Sequence, residues 1–255
     1  MTTADKDNWV AETIRFTFFP MPEAEINSPE DWWEAFVGSP PEQISNKPKE
    51  GSTNVSGTLQ DEELKLILNI QPERIDWQLI PNVESPDEMP DNIGNLVDRM
   101  PLILEPITNW LNNIDIEINR IAYGVILLKK AENRASSYET LNSLLHEVNI
   151  DSEGSSDFIY QINRKRPSKH MKGLEINRLS RWSSMAFGKF KIPNIGTDSI
   201  TTPLTVSQTV SSTRLELDIN TSATSTNNIQ EESRDAIINE LIELGNEIAD
   251  NGDTK

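Results

Sequence analysis

The sequence predicts an α+β fold, an antiparallel sheet packed by helices. Three observations predict it. Apolar and polar residues alternate in several short runs. Capped stretches of helical periodicity lie between those runs. The same order of elements then appears twice, once before and once after residue 114.

Trp9 to Phe19 alternates through Ile14, Phe16 and Phe18, a strand with one buried face. Ser28-Pro29-Glu30-Asp31 reads as a helix start, with Ser at the N-cap, Pro in the first turn and acids after it. Trp32, Trp33, Phe36 and Val37 follow on that helix, and Gly38-Ser39-Pro40-Pro41 stops it. Residues 39–57 are rich in Pro, Ser, Lys and Gly, and are expected to form a loop. Leu64–Ile70 and Arg74–Ile80 read as antiparallel strands around Gln71-Pro72-Glu73. Residues 91–113 are expected to be helical, kinked or divided by Pro101 and Pro106.

The second half repeats this order. Ile114–Lys130 alternates and then becomes fully apolar, as a long central strand would. A helix is expected from Ser136, strands over 157–166 and 174–183, and a long Ser/Thr-rich loop over 193–212. A strand over 214–220 follows. Asn227 and Asn228 are expected to cap a last helix, which carries Ile237, Leu241, Leu244 and Ile248 as a single apolar stripe. The halves, 1–114 and 115–255, are thus expected to be two β-α-β-β-α units packed as one globular unit. In shape this order resembles the helix-grip or TATA-binding-protein-like architectures, where a curved sheet wraps a long C-terminal helix. Such a likeness carries no function.

Charge is the sharpest signal for function. Residues 164–191 hold nine of the 23 Lys+Arg and one acid, Glu175, on a chain of net −18. The nine are Arg164, Lys165, Arg166, Lys169, Lys172, Arg178, Arg181, Lys189 and Lys191, with Trp182, Phe187 and Phe190 interleaved. Charge clustered against the global sign marks a docking face. Basic residues among aromatics also suit single-stranded nucleic acid, although the acidic remainder repels phosphate. A third reading is internal: the helix after Ile229 carries seven acids against Arg234, and could lie on these basic strands. Trp32, beside Trp33, is a candidate partner anchor, because tryptophan is enriched in binding hot spots.

Signatures of chemistry are missing. There are no cysteines, hence no thiolate nucleophile, disulfide or Cys-based zinc site. The two histidines, His146 and His170, have no metal-ligand spacing. Neither a Gly-rich phosphate loop nor a nucleophile elbow occurs. No catalytic, cofactor-binding or metal-binding residue is expected. The polar N-terminus and the lack of an apolar run of membrane length point to a cytoplasmic protein with no membrane contact. The reading is a non-enzymatic protein-interaction subunit, a regulator, adaptor or inhibitor and a component of a complex. It would dock through Arg164, Lys165, Arg166, Lys169, Lys172, Arg178, Arg181, Trp182, Lys189, Lys191 and Trp32. The alternatives are a nucleic-acid-binding component using the same segment, or a helix-grip protein holding a small molecule between sheet and final helix.

Overall fold

A computed structural model describes residues 9–22, 24, 28–59, 63–82, 89–191, 205–223 and 228–254, with the side chains of 188–191 and 205–209 outside the description. Its strands are β1 (Val10–Pro20), β2 (Gln43–Lys47), β3 (Ser52–Leu59), β4 (Leu64–Gln71), β5 (Arg74–Pro81), β6 (Gly94–Asn95), β7 (Ile118–Ala131), β8 (Ile159–Asn163), β9 (Arg166–Pro167), β10 (Glu175–Lys191) and β11 (Thr205–Thr221). The helices are α1 (Pro29–Val37), α2 (Leu96–Leu111), α3 (Arg134–Leu144) and α4 (Arg234–Asn251).

All eleven strands join one antiparallel open sheet, in the order β2-β3-β4-β5-β1-β7-β11-β10-β8, with β6 on β1 and β9 on β10. The first strands of the two halves, β1 and β7, pair at the centre, with Phe16 opposite Tyr123. Each is flanked outward by the last long strand of its own half, β5 and β11. Strands from before residue 114 and from after residue 115 therefore belong to one continuous sheet.

Alternation decides the two faces. Ile14, Phe16 and Phe18 of β1 are buried, as are Leu64, Leu66, Leu68 and Ile70 of β4 and Ile75, Trp77 and Leu79 of β5. Ile121, Tyr123, Val125 and Leu127 of β7 and Leu215, Leu217 and Ile219 of β11 continue the same face. The helices cover it. Ile237, Leu241, Leu244 and Ile248 of α4 are all buried, as their spacing predicts. Burying such a stripe is the main source of helix stability in a fold of this kind. Under α1 and α2 the core is aromatic: Trp77 stacks with Phe36 at 4.1 Å between centroids and meets Trp110 edge-on at 5.7 Å. The opposite face of the sheet carries the polar register positions and no helix packs on it among the described residues.

Several expectations change. The expected loop 39–57 instead holds β2 and most of β3, so the first half carries a four-stranded meander. Residues 205–212, expected in a loop, belong to β11, while 193–204 lie outside the described residues. Helix α2 begins at Leu96, where Asn95 accepts the Val97 N–H, and is one helix through Pro101 and Pro106. Helix α3 starts earlier than expected, in a capping box of Asn133 and Ser136. Ahead of α4 stands a 3-10 turn, Glu231–Ser233, so Asn228 is not its cap, and Asn227 lies outside the described residues.

Candidate functional site

The basic segment follows β8 and folds as β9, β10 and the loop between them, and α4 lies against it. Arg164 donates from Nε and Nη2 to the two carboxylate oxygens of Asp253, at 2.5 and 2.7 Å. Tyr160 donates its hydroxyl to the same carboxylate at 2.6 Å. Arg166 grips Glu247 in a second two-pronged pair, both bonds 2.9 Å. Arg178, only 1 % exposed, brings Nη2 to 3.4 Å from the same Glu247. Ser168 Oγ and the Lys169 N–H donate to the buried Glu240, and Lys169 Nζ is 4.0 Å from Glu243. Glu240, Glu243 and Glu247 stand at i, i+3 and i+7, one acidic line along α4 facing the basic strands.

These pairs set the local titration. Hydrogen bonds from Arg164 hold the Asp253 carboxyl below its ordinary value against the opposing effect of burial, and Tyr160 adds to it. Desolvation pushes Glu247 up. The hydrogen bonds of Arg166 and the charges of Arg178 and Arg166 outweigh it, so Glu247 also lies low. Burial, then the bond to Asp253, pushes the Tyr160 phenol up to about 12. Two-pronged arginine–carboxylate geometry is the strong form of such contacts.

The other expected site residues are dispersed. Lys165 lies 3.6 Å from Glu175, both side chains exposed. Lys172 is exposed and Arg181 lies 3.9 Å from Glu216 on the opposite, helix-free face. Trp182 is fully buried against Trp9, centroids 6.5 Å apart, its Nε1 donating to Ser180 Oγ. Lys189 and Lys191 sit on β10 opposite Gln208 and Thr205, and their side chains lie outside the described residues. Trp32 is partly buried, edge-on to Trp110 at 5.4 Å, while its neighbour Trp33 is buried. His146 and His170 are both exposed.

A feature the sequence reading lacked lies on the helical layer. An apolar groove of about 660 Å³ opens between α2 and the end of α4. Trp9 lines it and is tied to α4 by donating its Nε1 to the Ala249 carbonyl at 3.1 Å. Leu96, Val97, Met100, Pro101 and Leu104 form one wall, and Val97 is 63 % exposed. The charged residues lining it, Glu105 and Asp250, are both acidic. Leu96, Met100 and Leu104 recur at four-residue steps, which marks an apolar face but not which part of it is left uncovered.

Among the described residues no cluster of three or more metal-ligating side chains occurs, and no helix is long and apolar enough to cross a membrane. No protein-family model matches the chain, and no curated protein matches it significantly in sequence.

Proposed function

We propose that this chain is a non-enzymatic protein-interaction subunit that receives a basic amphipathic helix of a partner protein in the groove between α2 and α4. The observation that carries the reading is the groove itself, apolar along its wall, acidic at its rim, and open at Val97. From Leu96 to Asn109 it follows α2 for about 20 Å, the length of a helix of three to four turns. Helix-in-groove recognition needs such an apolar channel. The acidic rim, on a chain of net −18, selects cationic flanks and speeds their encounter.

The basic segment supports this reading only in part. Arg164, Arg166 and Arg178 are engaged by Asp253 and Glu247. A protein or nucleic-acid partner docking there must first break two-pronged pairs, or use Lys165, Lys172 and their exposed neighbours. The pairing of β1 with β7 at the centre, with β5 and β11 outside them, supports internal duplication of a helix-grip or TATA-binding-protein-like kind. The cysteine-free sequence supports a cytoplasmic setting.

Isothermal titration with a synthetic amphipathic peptide of Leu/Lys heptads tests the assignment. Saturable one-to-one binding is expected, weakened at least about tenfold by Val97→Lys, which places a cation in the channel. A peptide that does not bind the wild-type chain, or binds Val97→Lys equally well, contradicts it.

A further inference from the structure

The helix-free face of the sheet carries five arginines, Arg15, Arg74, Arg120, Arg181 and Arg214, at outward register positions. Four are engaged. Arg74 holds Asp76 with two bonds, at 2.7 and 2.9 Å. Arg120 donates to Asn220 Oδ1 and the Thr221 carbonyl, and lies over the Phe19 ring. Arg214 pairs with Glu12 and Glu216, and Arg181 reaches Glu216. Arg15 differs. Its Nε is sealed from solvent and makes no hydrogen bond, and no carboxylate among the described residues lies within 4.0 Å of it. Arg15 is half-buried, and its guanidinium, with no carboxylate of the described residues beside it, can receive an oxyanion from outside the chain.

What surrounds Arg15 narrows the ligand. Its guanidinium lies over Gly124, where a Cβ would stand 3.1 Å from Nη2, so glycine leaves the floor open. On the far side of Gly124, Asp218 faces the same space from β11, and its Oδ1 accepts one bond, from Asn220 Nδ2 at 2.9 Å. Arg15, Gly124, Asp218, Gln78, Gln161 and Thr13 line a cleft of about 380 Å³, the size of a small-molecule site. An anion alone would meet Asp218 and Glu216, and a cation alone would meet Arg15 and Arg181. A neutral molecule leaves Arg15 unsatisfied. A molecule carrying both charges satisfies both sides.

We propose that this cleft binds a free amino acid, its carboxylate on the Arg15 guanidinium and its ammonium group on Asp218, across the floor made by Gly124. The site lies on the face of the sheet opposite the α2–α4 groove and is independent of the protein-docking role.

The test is an NMR titration of the ¹⁵N-labelled full chain with the standard L-amino acids and 4-aminobutyrate at millimolar concentration, following the Arg15 Nε–H cross-peak. At least one is expected to move that peak saturably. Its N-acetyl and carboxamide derivatives should each bind at least about tenfold more weakly, because each loses one charge-assisted contact. Arg15→Met, Asp218→Asn and Gly124→Ala should each weaken binding by at least about tenfold. Gly124→Ala keeps both charges and fills the floor, and an unchanged thermal midpoint verifies its fold. If no amino acid moves the peak, or binding survives all three substitutions, the proposal is overturned. Equal binding of the N-acetyl derivative also overturns it, since that describes an anion site alone.

Discussion

Glu247 shows how much one side chain carries. It accepts both prongs of Arg166 and is the carboxylate beside Arg178, which is buried. Removing one partner of a buried pair strands the other charge, the costly direction. Glu247→Gln is therefore expected to lose about 3 kcal/mol in urea unfolding at neutral pH. Its pH dependence has a defined sign. Glu247 and Asp253 are both depressed in the folded chain, so their stabilisation is complete above the ordinary carboxylate range and is lost as pH falls through their lowered values. The gap between wild type and Glu247→Gln should persist from neutral pH to about pH 4 and close below it. A gap that widens on acidification contradicts the pairing.

The acids of α4 and the bases of 164–178 were both legible in the sequence, and their lying together was one of the readings it allowed. What it could not supply was distance. Arg164 meets Asp253 across the sequence because Gly252 ends α4 and turns the chain onto α3. Trp182, by contrast, reads as part of a basic–aromatic surface, but strand alternation points it into the core with Ile176 and Arg178. Arg15 gave no sequence signal, because only the register of β1 against β7 puts it over Gly124.

At the scale of elements, α4 depends on how it ends. Gly252 has φ 77°, and a Cβ there would fall 1.8 Å from the Leu144 carbonyl oxygen. The Asp253 N–H donates to that same carbonyl at 3.0 Å. Gly252→Ala is expected to cost about 2 kcal/mol or more, and to release the tail that pairs with Arg164. Faster amide exchange at Asp253 would report that release, and unchanged exchange would contradict it. The strands β1, β4, β5 and β7 are visible in the sequence because one face of each is buried. Strand β2 is exposed along its whole length and so shows no alternation. The Ser/Thr-rich start of β11 hides for another reason: it buries polar residues, Ser211, Ser212 and Thr213, in place of an apolar alternation. Thr213 Oγ1 and Ser137 Oγ lie 3.1 Å apart, and Thr213 donates to the Ser137 carbonyl. Two prolines do not divide α2, whose apolar positions Met100, Ile103, Ile107 and Trp110 stay buried on either side of them.

For the whole molecule, the sheet separates two surfaces. The helical layer closes a core that includes residues from Trp9 to Ala249 and leaves an apolar channel at its surface, beside Val97. Of the five arginines on the helix-free face, Arg15 is the one that pairs with no acid or amide among the described residues. The concentration of positive charge that dominates the sequence is met in part from within, by α4 and Asp253. This favours the proposed docking at the α2–α4 groove over docking at the basic hairpin. Methyl NMR of the full chain, titrated with the Leu/Lys peptide, locates the contact. Shifts centred on Val97, Met100 and Leu104 are the predicted result; shifts centred on Ile162 and Met171 in the basic hairpin, or none at all, would contradict it.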